Sequence, residues 1–108
     1  MDDQAITDFL EQIRAEGRSS PAGQHWMAFH EMLCRQAVRT GAGRPPVPFI
    51  LAASGESDSS KLRRLGEQLR WAQDNGTLEE ALEFLRGLRP DQWNSGTAEN
   101  LHRSSYGE

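Results

Sequence analysis

The sequence has 108 residues, 36% apolar and 26% charged, and its 12 basic residues against 16 acidic ones leave a net charge of -4. That length suits a single domain, and the acidic balance argues against a surface built to lie along nucleic acid or an anionic membrane. No apolar run is long enough to span a bilayer, and Met1-Asp2-Asp3-Gln4 lacks the basic start of a secretory leader, so a cytoplasmic location is expected.

Eleven leucines stand against three isoleucines and two valines, so the branched residues that favour strands are scarce. Leu, Ala, Arg, Gln and Glu dominate, and these favour helices. An all-α chain is expected. One cysteine, Cys34, excludes an internal disulfide and a cysteine-only metal cage.

In chain order, Ile6, Phe9, Leu10 and Ile13 fall on one helical face, which predicts a helix over 2–16 that stops at Gly17. Ser20-Pro21 reads as an N-cap with proline at the first helical position, opening a helix through Ala22, Trp26, Phe29, Leu33 and Ala37 to about Arg39. Thr40 to Pro46, rich in glycine and proline, is a linker. Phe49-Ile50-Leu51 could be a short strand, but nothing else in the sequence reads as its pairing partner. A short helix over 47–54 is therefore preferred.

Leu62, Leu65, Leu69 and Ala72 stripe a helix from Asp58 or Ser59 to Asp74, and Asn75-Gly76 ends it. Thr77 and Glu80 have capping-box spacing, starting a further helix with Leu78, Ala81, Leu82, Leu85 and Leu88 that stops before Pro90. Ser60 to Leu88 is thus an αα-hairpin with a tight turn. Pro90-Asp91-Gln92-Trp93 adds one turn whose indole closes the end of the bundle. The expectation is a compact bundle or orthogonal array of four main helices plus a short fifth over 1–93. Its centre holds Trp26, Phe29, Leu33, Leu62, Leu65, Leu69, Leu82 and Leu85, and a polar, disordered tail occupies 94–108.

Chemistry is sparse. Gly41-Ala42-Gly43 has no preceding strand and no following Gly-Lys-Ser/Thr, so it is neither a dinucleotide fingerprint nor a P-loop. The paired acids Asp2-Asp3 and Glu79-Glu80 sit at helix starts, where the helix dipole accounts for them. The helix carrying Glu79 and Glu80 is also a poor recognition helix, since its first turn would repel phosphates. His30-Glu31-Met32-Leu33-Cys34 resembles the His-Glu-x-x-His of zinc proteases. Cysteine replaces the second histidine, however, and no third ligand follows.

Two groups of residues remain. Met27, His30 and Cys34 lie along one helical stripe, where thioether, imidazole and thiolate would suit a soft metal or one side of a haem. The alternative is that they flank the buried face. Trp71 points well away from the leucine stripe of its own helix, near Arg64 and Glu67. With Trp93 these make the aromatic-plus-arginine composition of a protein contact surface. Charge is also uneven: residues 17–50 hold four arginines against Glu31, while residues 77–108 hold six acids against three arginines. The functional expectation is a non-enzymatic interaction module, such as an adaptor, inhibitor, immunity-like protein or regulatory subunit, without a cofactor. It binds another protein, a second copy of itself included, through Arg64, Glu67, Trp71 and Trp93.

Overall fold

The computed structural model describes residues 3–46 and 57–95. Among them, four α-helices dominate: α1 (Asp3–Ala15), α2 (Gly23–Thr40), α3 (Asp58–Asp74) and α4 (Leu78–Arg86), followed by a 3-10 turn at Pro90–Gln92. Two short strands, β1 (Arg18–Pro21) and β2 (Trp93–Ser95), pair antiparallel, with Arg18 opposite Ser95 and Pro21 opposite Trp93. The fold is therefore mostly helical, as the leucine periodicity indicates, with a small sheet added to the expected all-α architecture.

The helix boundaries follow local chemistry. Ser57 caps α3 by accepting a hydrogen bond from the Ser60 backbone N–H at 3.1 Å. Gly41 ends α2 in the left-handed region at φ 76°, its N–H donating to the Ala37 carbonyl, a conformation that costs other residues a Cβ clash. The expected capping box at the start of α4 does not form. The Thr77 hydroxyl instead donates back to the Ala72 carbonyl of α3 at 3.2 Å, tightening the α3–α4 turn, and Glu80 is drawn away to α2. Nor does Ser20-Pro21 open α2. Both residues are buried in β1, and the helix begins two residues later with Ala22 at its N-cap.

Leucines of three helices meet the aromatics of α2 in one core. Phe29, Leu33, Leu65 and Leu69 have no measurable exposure, joined by Ile6, Ile13, Trp26, Leu82 and Leu85. Leu62, placed at the centre by its spacing, instead packs half-buried at the margin. α3 is the hub, packing on α1, α4 and β1, while α2 packs on α4 and β1. Rings extend this core: Trp26 stacks on Phe29 at 6.2 Å between centroids, and Phe29 meets Phe84 of α4 at 5.5 Å.

The sheet closes the chain on itself. The Ala22 N–H donates to the Gln92 carbonyl at 2.9 Å, and Asn94 Nδ2 donates to Ser20 Oγ at 2.9 Å and to the Pro21 carbonyl at 3.2 Å. Asn94 and Ser95, assigned to the tail by composition, thus belong to the folded domain. The expected helix over 47–54 and the remainder of the tail fall outside the described residues.

Candidate functional site

Two arrangements bear on function. The first is the set expected from the sequence. Arg64, Glu67 and Trp71 lie in order along α3, with Glu67 exposed. Arg64 is half-buried and engaged within the fold, and Trp71 is half-buried against the hydrophobic core, its backbone carbonyl accepting from Asn75 Nδ2 at 2.8 Å. Trp93 does not join them as a contact residue. It is 6% exposed, packs 6.5 Å from the ring of Phe9, and carries the Arg18 guanidinium 5.7 Å from its ring centroid. Burial in the sheet converts Trp93 from a surface anchor into core. The indole that leans off the α3 leucine stripe likewise finds cover on its own chain.

The second arrangement is the outer face of α2. This helix buries Trp26, Phe29, Leu33, Gln36 and Ala37, and turns Met27 and Val38 outward. Met27 is 44% exposed and Val38 is 85% exposed, the two large apolar side chains left in solvent among the described residues. Beside Val38 lies a shallow hollow of about 280 Å³, lined by Cys34, Ala37, Val38, Ala42, Arg44 and Pro45. Its far wall is anchored, because Pro45 is buried and the Pro46 carbonyl accepts from Gln68 Nε2 of α3 at 3.1 Å. Composition alone gives no hint of the hollow, because it arises where the loop after Gly41 folds back on the helix.

On the same face, His30 Nε2 and Cys34 Sγ stand 3.6 Å apart, and Cys34 is free and exposed. His30 is half-buried, and this burial lowers its pKa below the usual histidine range against the opposing charge of Glu31. Its Nδ1 is buried without a partner among the described residues. Together these features favour a neutral imidazole, the form that binds a metal or accepts a thiol proton. No group of three or more His, Cys, Asp or Glu side chains comes together among the described residues. The Met27, His30 and Cys34 stripe therefore offers one nitrogen, one thiol and a thioether, not a closed ligand set.

Arginines flank this face unequally. Arg39 Nη2 donates to Glu80 of α4 at 3.0 and 3.1 Å, and Gln36 Nε2 donates to the same carboxylate at 2.9 Å. Those hydrogen bonds, Arg39 first and Gln36 second, hold the Glu80 carboxyl below its usual range. Two arginines of the basic 17–50 stretch are thus engaged within the fold, Arg39 with Glu80 and Arg18 with Glu16 at 3.1 Å. Arg35 and Arg44 remain exposed beside Val38. No helix among the described residues is long and apolar enough to cross a membrane. No family model matches the chain, and no curated protein or solved structure is similar to it.

Proposed function

We propose that this protein is a small non-enzymatic interaction module, of the adaptor, inhibitor, immunity-like or regulatory-subunit kind, that binds another protein through the outer face of α2. The observation that carries the reading is Val38, 85% exposed at the edge of an apolar hollow on a helix whose opposite side is core. Leaving such a side chain in water forgoes roughly 1.5–3 kcal/mol of burial, and exposed apolar patches with a charged rim mark contact sites. Arg35 and Arg44 supply that rim. The contact surface is thus moved from the Arg64, Glu67 and Trp71 strip of α3, where the aromatic ring leans on the core, to α2. A cytoplasmic location belongs to the same proposal, supported by a lone exposed thiol, which stays reduced there.

A photo-crosslinking residue at position 38, in cells producing the full chain, tests the reading against the same residue at Arg70 on exposed α3 surface. A discrete covalent adduct from position 38 and none from position 70 is expected. Indistinguishable smears from both positions would remove the reading.

A second reading, soft-metal binding at Met27, His30 and Cys34, is favoured by one observation, the 3.6 Å approach of His30 Nε2 to Cys34 Sγ. One chain supplies too few donors among its described residues to close such a site, so a metal would need donors from a second chain.

A further inference from the structure

We propose that the outer face of α2 pairs with the same face of a second copy, and that each copy contributes His30 and Cys34 to a shared tetrahedral metal site of the zinc type. This rests on the reading of that face as the contact surface and names its partner.

The first argument is the spacing of a knob and a hole. Met27 projects from one end of the stripe, and the hollow beside Val38 lies at the other. They are eleven positions apart, about 16 Å along a helix. In a two-fold contact each patch meets its counterpart reciprocally, so Met27 of each copy enters the hollow of the other only if the helices run antiparallel. The axis then passes midway between positions 27 and 38, beside residues 32 and 33. The midpoint of His30 and Cys34 is position 32. The symmetry that seats the two methionines therefore also brings both His30–Cys34 pairs to the axis.

Charge gives the second argument. Glu31 and Arg35 are exposed one turn apart on the same flank of the stripe, and neither forms an ion pair among the described residues. Reversing the helix direction sets Glu31 of each copy against Arg35 of the other. The face is complementary to itself in antiparallel pairing, whereas parallel pairing would carry the Glu31 and Arg35 flank of one copy away from that of the other.

The third argument is the geometry of the donors. A tetrahedral zinc ion with sulfur at about 2.3 Å and nitrogen at about 2.0–2.1 Å holds those two atoms about 3.5 Å apart. His30 Nε2 and Cys34 Sγ are already 3.6 Å apart. One chain offers half of a two-cysteine, two-histidine set and two chains complete it. On binding, each thiol releases its proton to solvent and each imidazole coordinates as the neutral base, its remaining proton on Nδ1. Two thiolates then neutralise the dication, so the buried site carries no net charge. The Nδ1–H is left without an acceptor among the described residues, a cost that the metal–nitrogen bond has to exceed.

The test uses the full chain, purified metal-free under a non-thiol reductant and followed by sedimentation equilibrium with zinc chloride or EDTA. The expected result is a rise from 12.1 kDa to twice that mass with zinc, one zinc per two chains, and reversal by EDTA. Cobalt(II) in place of zinc should give the intense visible absorption of a tetrahedral thiolate site. Cys34→Ser changes an exposed side chain and His30→Gln a half-buried one, and both should keep the helical circular dichroism yet stay monomeric with zinc. Met27→Glu, which leaves His30 and Cys34 in place, should weaken the zinc-dependent dimer at least about tenfold. A chain that stays monomeric with zinc overturns the proposal, as does a dimer indifferent to EDTA and to both donor substitutions, or one that forms only when the reductant is omitted. If zinc fails to pair the chains but position 38 still crosslinks to a different protein, the contact face stands and only self-association falls.

Discussion

The ring of Phe9 lies 6.5 Å from the ring of Trp93, tilted by 49°, so the first helix and the last strand of the described chain close on each other. The Arg18 guanidinium lies over the indole at 5.7 Å from its centroid, and the β1–β2 pair holds its backbone. The indole N–H is buried without an acceptor among the described residues, so the ring serves by filling space rather than by donating a hydrogen bond. Trp93→Ala is expected to cost about 3–5 kcal/mol, a large share of the stability of a domain this size. Trp93→Phe keeps a ring against Phe9 and removes the unpaired donor, and should cost only roughly 1–2 kcal/mol. Urea denaturation of the two variants gives the comparison. Equal losses would mean that the indole nitrogen has a partner after all.

The same residue shows how far the sequence could be read. The four helices are legible because Ile6, Phe9 and Ile13, or Leu62, Leu65 and Leu69, recur at helical spacing, and burial of that face is what makes those segments fold. The strands are not legible. Arg18-Ser19-Ser20-Pro21 and Trp93-Asn94-Ser95 are too short to alternate and contain no branched residue, and only the path of the chain brings them together. Serine before proline is a strong helix-start signal in isolation, yet at Ser20 pairing with β2 and burial against α3 outweigh it. The Met27, His30 and Cys34 stripe could be read because α2 is regular. The hollow beside Val38 could not, because it depends on how Pro45 and Pro46 return to α3.

The Arg39–Glu80 pair predicts a dependence on acid. Arg39 and Gln36 lower the carboxyl pKa of Glu80 in the folded chain, and Arg89 does the same for Asp91. A group whose folded pKa is depressed stabilises the fold above its unfolded pKa, and that contribution is lost as pH falls through the folded value. The melting temperature should therefore drop below the ordinary carboxylate range, and Arg39→Ala should remove part of that drop while lowering the plateau only slightly at neutral pH. Both partners are more than half exposed, so added salt should reduce the effect as well. Thermal melts of the two chains from neutral pH downward check it. Parallel curves would show that Glu80 is not held by Arg39.

Trp71 separates packing from contact. It leans half-buried on the core from the side of α3 away from the leucines. Trp71→Ala should therefore cost roughly 1–3 kcal/mol in folding, because apolar area is returned to water. Val38→Ala removes an almost fully exposed side chain and should leave stability within about 0.5 kcal/mol. Partner binding should respond in the opposite order, with Val38→Ala the more damaging once the loss of folded protein is corrected for. An unchanged melting temperature for Trp71→Ala together with lost binding would return the contact surface to α3.

Two glycines make the last comparison, since the same substitution should act with opposite sign at each. Gly41 caps α2 at φ 76° with open space around its α-carbon, so a methyl group there meets no neighbour but must adopt a left-handed backbone. Gly41→Ala should cost about 1 kcal/mol. Gly66 sits inside α3, where alanine is the better helix former by about 1 kcal/mol. Its added Cβ would stand 3.1 Å from Leu10 Cδ1 of α1, closer than comfortable contact. That carbon is the tip of a half-buried side chain at the margin of the core, and a small rotation clears it. Gly66→Ala should therefore be neutral or stabilise by up to about 1 kcal/mol, whereas Gly66→Leu should force α1 and α3 apart and destabilise. Chemical denaturation of the three variants decides the matter. A loss at Gly66→Ala as large as that at Gly41→Ala would mean that Leu10 cannot yield and that the α1–α3 approach depends on the missing side chain.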